Sequence, residues 1–267
     1  MKILVIMGSH RKGNTYNAVK QIEEHFKSIE NAEFQYLMLA DVNLSHCLGC
    51  YTCFLKGEEY CPIKDDATSI EQQMHDADGV IFASPVYGMN VSGLFKMFVD
   101  RFSYIFHRPC FFDKKALLIT TAGGIGQKEV LKYMDLVASV WGFDVVNQIG
   151  LMTPAGIHIP KSLVLENEKK LKEAADKFQL ALQRKEHKSP SLYDVLYFRG
   201  ARGSFEELGG ISPRDYEYWK GNGWFDKRTK YFVDVPINPI YNILGSVMEI
   251  YVRHQIRKLI ADGEFQY

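Results

Sequence analysis

Four of the five cysteines fall within one short stretch, in the spacing Cys47-x2-Cys50-x2-Cys53-x7-Cys61. In a chain without an export signal, such a cluster is more often a metal or redox site than a set of disulfides. Four thiolates in this spacing suit a [4Fe–4S] cluster. Zinc could take the same four ligands in tetrahedral geometry, and four thiols of a surface loop are the third alternative. The fifth cysteine, Cys110, lies among aromatic residues and is expected to be a small buried apolar residue.

A loop rich in glycine and hydroxyl residues follows the first apolar run of the chain. It has the sequence GSHRKGNT over residues 8–15 and leads directly into a helix pattern. The backbone N–H groups of such a loop can converge on an anion, and the helix N-terminus adds partial positive charge. The loop is neither G-x-G-x-x-G nor a Walker loop, which argues against conventionally bound NAD and against an NTPase. An anion site and an ordinary capped strand–helix turn remain the two alternatives.

Two further loops have features that suit a planar ring. Residues 84–93, SPVYGMNVSG, combine a turn-forming proline and glycine with the aromatic edge of Tyr87. An apolar and aromatic loop of this kind suits a planar ring better than a sugar or a metal. Residues 120–126, TTAGGIG, contain three glycines that permit close approach of the backbone to a ligand. One phosphate-type loop and two ring-type loops are more specific together than any of them alone.

Strand-like and helix-like patterns alternate along the first two thirds of the chain and would position these loops. Short apolar runs predict strands over residues 2–7, 34–39, 80–83, 116–121 and 143–149. Between them, apolar residues three or four positions apart predict amphipathic helices, the first over residues 14–29. This alternation indicates an α/β fold with a parallel sheet and helices on both faces. Ligands of such sheets bind beyond the carboxyl ends of the strands.

Composition excludes several classes of protein. The 267 residues are 46% hydrophobic and 24% charged, which is enough to bury a core and too apolar for a disordered chain. Lysine and arginine number 32, and so do aspartate and glutamate. This balance argues against a nucleic-acid-binding protein. The sequence contains no stretch of about eighteen apolar residues, so we expect no membrane span. The apolar run at residues 3–7 is too short for a signal peptide, and we expect a cytoplasmic protein.

The three loops together resemble those of a known family. Gly-Ser-x-Arg-Lys-Gly-Asn-Thr, Ser-Pro-Val-Tyr-Gly-Met-Asn-x-Ser-Gly and Thr-Thr-Ala-Gly-Gly are similar to motifs of the NADPH-dependent FMN reductase family. The four cysteines, followed by Lys64-Asp65-Asp66, resemble its iron–sulfur flavoprotein branch, although members with similar cysteines do not all hold a cluster. The resemblance spans residues 1–185 and departs from the family at His10, where proline is usual. It implies a flavodoxin-like, doubly wound sheet of five parallel strands in the order 2-1-3-4-5.

The resemblance also implies an FMN site with three groups of residues. The phosphate would be held in the first loop by Ser9, Arg11, Lys12, Gly13, Asn14 and Thr15. The isoalloxazine ring and ribityl chain would be lined by Pro85, Val86, Tyr87, Gly88, Met89 and Asn90. The opposite ring edge would be lined by Thr121, Ala122, Gly123 and Gly124. The metal ligands would be Cys47, Cys50, Cys53 and Cys61.

The expected function is that of an FMN-dependent oxidoreductase which passes electrons from NAD(P)H to a small acceptor or redox partner. Because a flavin carries this chemistry itself, no catalytic side chain is expected. The alternatives are an FMN and [4Fe–4S] electron-transfer protein without useful NAD(P)H turnover, and an FMN-binding sensor or scaffold. The resemblance further implies a homodimer or a tetramer.

A flavodoxin-like fold does not explain the last part of the chain. We expect one domain over residues 1–187 and an aromatic-rich, partly helical extension over 188–267, packed on the core or on a second subunit. Residues 216–225, YEYWKGNGWF, are dense in large rings. One face of a final helix contains the largely apolar stripe Ile240, Leu244, Val247, Met248, Tyr251, Gln255 and Leu259. Such a face needs a covering surface, and a subunit contact is the expected one.

Overall fold

The computed structural model describes residues 1–27, 31–154 and 159–263. Residues 28 and 29, the last two of the expected first helix, lie outside this described part. None of the helices in the described ranges is both long enough and apolar enough to cross a membrane.

The chain divides into two compact units. The first comprises Met1–Cys47 and Asp65–Lys185, and the second comprises Leu48–Lys64 and Glu186–Tyr267. The C-terminal part of the second unit thus begins at Glu186, two residues before the expected boundary at 188. The segment Leu48–Lys64, which we expected within the first domain, groups instead with the C-terminal residues.

A single parallel sheet forms the centre of the first unit. Its strands are β1 Lys2–Met7, β2 Glu33–Met38, β3 Gly79–Pro85, β4 Lys115–Ala122 and β5 Asp144–Met152. They lie in the order β2-β1-β3-β4-β5, and every neighbouring pair is parallel. The α/β class and the flavodoxin-like strand order 2-1-3-4-5 are therefore confirmed.

Helices of the first unit cover both faces of this sheet. They are α1 Asn14–Lys27, α3 Ala67–Asp76, α4 Gly93–Arg101, α5 Gln127–Val140 and α6 Lys161–Gln183. Every residue of β3 and β4 is buried, because apolar side chains alternate between two covered faces. On one face Phe26 of α1 and Phe178 of α6 pack edge to face, with ring centroids 6.0 Å apart. On the other face Phe82 contacts Trp141 and the rings of α4.

The second unit is built from helices and aromatic rings. Its helices are α2 Thr52–Leu55, α7 Leu192–Glu207, α8 Pro213–Gly221 and α9 Pro239–Ala261. Phe198, Trp219, Trp224 and Phe232 pack on one another with centroids 4.8–5.8 Å apart. Trp219 and Trp224 are buried. The ring-dense segment is therefore the core of its own unit.

Helix α9 has two different sides. On one side it packs on α7, where a Cβ at Gly203 would lie 3.0 Å from the Glu249 carbonyl oxygen. The same interface contains the ion pairs of Glu249 with Arg199 and Arg202. On the other side large apolar residues are exposed: Ile240, Ile243, Leu244, Val247, Ile250 and Tyr251. The final helix is present where we expected it, and much of its apolar stripe is exposed in the single chain.

Candidate functional site

The three predicted loops lie at one edge of the sheet. They follow β1, β3 and β4, which are neighbours in the strand order. Met7 pairs with Ala83, and Pro85 pairs with Thr121, so these strands end at a common level. The loops therefore emerge together at the carboxyl ends of parallel strands, where ligands of such sheets bind.

The first loop ends at the N-terminus of α1. The first N–H groups of a helix have no intrahelical partner, so they and the helix dipole favour an anion at this point. The Ser9 hydroxyl is buried and donates to the Arg11 carbonyl at 3.0 Å, which shapes the loop. The side chain of Asn14 donates to the Thr153 carbonyl at 3.2 Å. Arg11 and Lys12 are exposed, and they give the loop positive charge.

A pair of buried hydroxyls joins the first loop to the third. The Oγ1 atoms of Thr15 and Thr121 lie 2.6 Å apart, and either of them can be the donor. Two hydroxyls that share one hydrogen bond retain a second proton. This proton can be donated to an anion at the α1 N-terminus. The bond thus brings the two threonines together although 106 positions separate them.

The second loop is a tight turn that presents apolar side chains. Tyr87 and Asn90 exchange two backbone hydrogen bonds of 2.9 and 3.1 Å. Between them Gly88 and Met89 have φ angles of 55° and 64°, which is the pattern of a type I′ turn. A methionine rarely occupies this left-handed region, and such backbone strain is typical of functional sites. The side chains of Tyr87 and Met89 are both about half exposed.

Ser92 connects the second loop to the first, although it is not among the residues predicted for the FMN site. Its hydroxyl donates to the Gly8 carbonyl and accepts the N–H of Phe95 at 3.2 Å as the N-cap of α4. Its own N–H donates to the Ser84 hydroxyl at 3.0 Å. A serine directly before an apolar helix pattern is an N-cap signal, and this signal could have identified it.

The third loop packs against the second. Val86 donates its N–H to the Thr121 carbonyl at 2.9 Å. Gly126 has a φ of 102°, and a Cβ there would lie 2.7 Å from Val86 Cγ1 and 3.3 Å from Met89 Sδ. Glycine is therefore required both by the backbone and by the close approach of the two loops. Nothing lies within 4 Å of a Cβ built on Gly124, so this glycine faces open space.

The structure thus brings the three groups of predicted FMN residues together. Hydrogen bonds connect the first loop with the second, the first with the third, and the second with the third. The assembled edge combines a helix N-terminus and hydroxyls with exposed aromatic, thioether and glycine positions. This set of groups fits a ligand that has both a phosphate and a planar ring, which is the chemistry of FMN.

A buried ion pair fixes both ends of the cysteine-bearing segment. Asp65 accepts two hydrogen bonds from Arg101, at 3.0 and 2.8 Å, and one from the Ser45 N–H at 2.9 Å. Beside it the Asn43 N–H donates to Asp66 Oδ2 at 2.8 Å, and the Asp66 N–H donates to the Asn43 carbonyl at 2.9 Å. Burial raises the pKa of Asp65, but the bonds from Arg101 and the backbone outweigh this effect, so the pKa lies below its ordinary value. The residues before Cys47 and after Lys64 are therefore held next to each other.

The four cysteines of the predicted metal site lie in a strongly curved segment. Cys47 and Cys50 are exposed, and Cys53 and Cys61 are half-buried. Gly49, Tyr51 and Gly57 have positive φ angles of 62°, 57° and 129°. Within the second unit, Ser212 donates to the Phe54 carbonyl at 3.4 Å and Arg214 lies 3.7 Å from Glu58. The segment is folded, and its four cysteines fall within fifteen residues of the chain, a spacing that suits a thiolate-ligated cluster.

Comparisons with known proteins agree with this description. A family model described as NADPH-dependent FMN reductase matches residues 1–156. An iron-sulfur flavoprotein of Archaeoglobus fulgidus is 32% identical over 227 residues, which are 84% of this chain and 100% of that protein. An iron-sulfur flavoprotein of Clostridioides difficile is 30% identical over 231 residues, which are 83% of this chain and 95% of that protein.

A solved structure supports the fold independently. The apo form of an NADH:FMN oxidoreductase superposes with a TM-score of 0.51 and 21% sequence identity, over 70% of this chain and 94% of that one. At this identity the similarity concerns the fold, and it agrees with the five-stranded sheet of the first unit.

Proposed function

The chain belongs to the NADPH-dependent FMN reductase family, and on that premise we propose that it oxidises NAD(P)H through bound FMN and passes the electrons to a small acceptor or redox partner. The observation that supports this proposal most directly is the union of the three loops at the carboxyl edge of the sheet. Bound FMN would supply hydride acceptance and onward electron transfer. The task of the protein is to bind the cofactor and to leave one side of the ring accessible.

Each loop has a separate role in this proposal. The N-terminus of α1, Arg11, and the Thr15–Thr121 hydroxyl pair bind the phosphate. The second loop, Pro85 to Asn90, supports the ring and the ribityl chain with Tyr87 and Met89. The glycines at 123 and 124 bring bare backbone to the opposite ring edge. No side-chain acid or base is needed, because hydride transfer between two rings involves no proton transfer to the protein.

The spectrum of the protein during reduction tests this proposal. The FMN-loaded chain is titrated anaerobically with NADPH and, separately, with NADH while the visible flavin absorption is recorded. We expect the absorption to be lost at about one equivalent of the preferred nicotinamide. A flavin that binds tightly but stays oxidised under both titrations would instead support the electron-transfer protein without NAD(P)H turnover.

We further propose that the loop cysteines Cys47, Cys50, Cys53 and Cys61 ligate a [4Fe–4S] cluster. The proposal is supported by their spacing and by the names of the two relatives, both iron-sulfur flavoproteins.

Iron and sulfide analysis of anaerobically prepared protein tests the cluster. We expect about four iron and four sulfide per chain, lost in Cys53→Ser and retained in the matched control Cys110→Ser. Zinc in place of iron would support the tetrahedral zinc alternative, and neither metal would support the plain thiols.

The proposed partner of the second unit is another copy of the chain. Six large apolar side chains stay exposed along α9, and one side of a 23-residue helix is about 34 Å long. Arg253, Arg257 and Lys258 lie toward its C-terminal end. Arg253 and Arg257 form ion pairs with Glu206 and Glu207 of α7, so their charges are compensated within the unit, and self-association through the apolar face of α9 fits the expected homodimer or tetramer.

A further inference from the structure

Three potential metal ligands meet at a place that the cysteine loop does not include. Glu71 and His75 lie four residues apart on α3, so their side chains share one face of the helix. Cys110 comes from the segment before β4. One ligand atom from each residue lies within 4.8 Å of the others, and Cys110 Sγ lies 3.9 Å from His75 Nε2. All three residues are half-buried.

The surroundings hold each of these side chains in place. Tyr104 donates its hydroxyl to Glu71 Oε2 at 2.6 Å. The ring of His75 lies against Phe111, with centroids 4.6 Å apart. The N–H groups of Cys110 and Phe111 both donate to the Trp141 carbonyl, at 3.1 and 3.2 Å. Partners of this kind orient metal ligands in many proteins.

We propose that Glu71, His75 and Cys110 bind one zinc-type divalent cation and leave its fourth position to water. A thiolate, an imidazole and a carboxylate are the three ligand types that zinc takes, and three protein ligands with one open position are a known zinc arrangement. Magnesium and calcium prefer oxygen ligands only. Tetrahedral zinc with ordinary bond lengths sets its ligand atoms about 3.3–3.6 Å apart. The ligand atoms now lie at most 4.8 Å apart, so binding would draw them about 1 Å closer together.

This site lies far from the loops that we assign to FMN. His75 is near the end of α3, three residues before Asp78, whose neighbour Gly79 begins β3, and Cys110 comes five residues before β4 begins at Lys115. Both therefore lie at the amino edge of the sheet. Strands of seven and eight residues separate the two edges by about 23–26 Å. The cation would thus connect α3 to the segment before β4 and take no direct part in flavin chemistry.

Cobalt titration tests the proposal, because cobalt bound to a thiolate absorbs strongly in the near ultraviolet. The four loop cysteines must be changed to serine first, so that Cys110 is the only thiol of the full chain. We expect one Co²⁺ per chain with a thiolate charge-transfer band, displaced by Zn²⁺. Cys110→Ser should abolish the band, and His75→Gln and Glu71→Gln, which each remove a ligand, should weaken cobalt binding by more than the loss of an orienting partner does, at least about 100-fold.

Two further variants separate a ligand set from a chance cluster. Tyr104→Phe keeps all three ligands but removes the bond to Glu71, so it should weaken Co²⁺ binding about 10- to 100-fold. His254→Gln, an exposed histidine of α9, should change nothing. The proposal is overturned if stoichiometric Co²⁺ gives no charge-transfer band, or if the band survives His75→Gln and Glu71→Gln with unchanged affinity.

If the four-serine variant does not fold, the chain that keeps its loop cysteines allows a second measurement. In the otherwise unaltered chain, Cys110→Ser should lower the zinc bound after dialysis by one equivalent. It should also remove the part of the zinc-dependent rise in melting temperature that is due to this site. Equal zinc content in both proteins would refute the site.

Discussion

The two units of this chain bury their apolar residues in different ways. In the first unit every residue of β3 and β4 is buried between helices, and the functional groups lie in loops at the strand ends. The second unit packs a few large rings and joins α7 to α9 through arginines and glutamates, while α9 keeps six large apolar side chains exposed. The central strands of the first unit are thus covered by its own helices. The second depends on ion pairs within it and has one surface suited to a partner.

The largest expected effect comes from the ion pairs of the second unit. Glu249 contacts both Arg199 and Arg202, whose side chains are buried. Glu249→Gln removes the carboxylate that both guanidinium groups share, and their acceptors on the Asn242 amide and on backbone carbonyls carry no charge, so we expect the free energy of unfolding of this unit to fall by about 3–5 kcal/mol. Hydrogen exchange measured by mass spectrometry checks this, because it resolves α7 and α9 from the sheet.

A matched control distinguishes this effect from the loss of any charge. Glu217 and Lys220 also form an ion pair in the second unit, but both are largely exposed and 3.9 Å apart. Glu217→Gln should therefore change the free energy of unfolding by less than about 1 kcal/mol. If both variants behave alike, the α7–α9 interface is not held by its ion pairs and the contrast between the units is lost.

A smaller effect is expected from the Asp65–Arg101 ion pair of the first unit, which fixes the two ends of the cysteine-bearing segment. Asp65→Asn keeps one acceptor but removes the charge that one buried guanidinium, Arg101, binds, whereas Glu249 serves two, so we expect destabilisation at the lower end of the range for a broken buried ion pair, about 3 kcal/mol at pH 7. The pKa of Asp65 is lowered in the fold. Its contribution is therefore complete above the unfolded-state pKa, about 3.9, and is lost as the pH falls further.

Urea denaturation of both proteins between pH 7 and pH 2 checks this dependence. The difference in unfolding free energy between wild type and Asp65→Asn should narrow as the pH falls below about 4. The exposed Asp41→Asn serves as the control and should show no such narrowing. A constant difference across the range would mean that the carboxylate charge of Asp65 does not stabilise the fold.

The next effect concerns cofactor affinity rather than folding. The double variant Ser9→Ala, Thr15→Ala removes a hydroxyl that shapes the first loop and one of the hydroxyl pair beside the α1 N-terminus. We expect FMN affinity to drop at least about tenfold, which corresponds to about 1.4 kcal/mol. Fluorescence titration with FMN measures it. The exposed pair Thr68→Ala, Ser139→Ala should bind FMN as the wild type does.

The sheet could be predicted from the sequence because its apolar runs are strong and local. Runs such as KILVIM and the helices between them indicate parallel strands, and the resemblance of the loop motifs to a known family implies the strand order that the structure has. The convergence of the three loops then follows from topology alone. What could not be predicted is how they are joined, because Thr15 and Thr121 or Ser92 and Gly8 meet only in the folded chain.

Less of the second unit could be predicted from the sequence pattern. Helix α7 has buried arginines at 199 and 202 and glycines at 200 and 203, which interrupt the apolar period that reveals an amphipathic helix. These arginines are compensated by Glu249, about 50 positions away in the sequence. The Glu71–His75–Cys110 cluster was not predicted for a similar reason, since 35 positions separate its cysteine from its histidine.

The smallest effect on the fold of a single chain is expected at the exposed face of α9, although it should decide the oligomeric state. Leu244 and Val247 are 43% and 61% exposed, so an aspartate there removes little packing from the monomer. Across a contact between two copies, each of these side chains would contribute about 1.5–3 kcal/mol when buried. A charge forced into that contact would oppose association by at least as much.

Light scattering should therefore show the wild type as a dimer or tetramer, and Leu244→Asp or Val247→Asp shifted toward monomer with a nearly unchanged melting temperature. Glu206→Gln, on the α7 side of the unit, is the control and should leave the mass unchanged. A wild-type monomer, or an aspartate variant with an undisturbed oligomer, would show that the face of α9 has another use, and the dependence of the second unit on a partner copy would no longer follow.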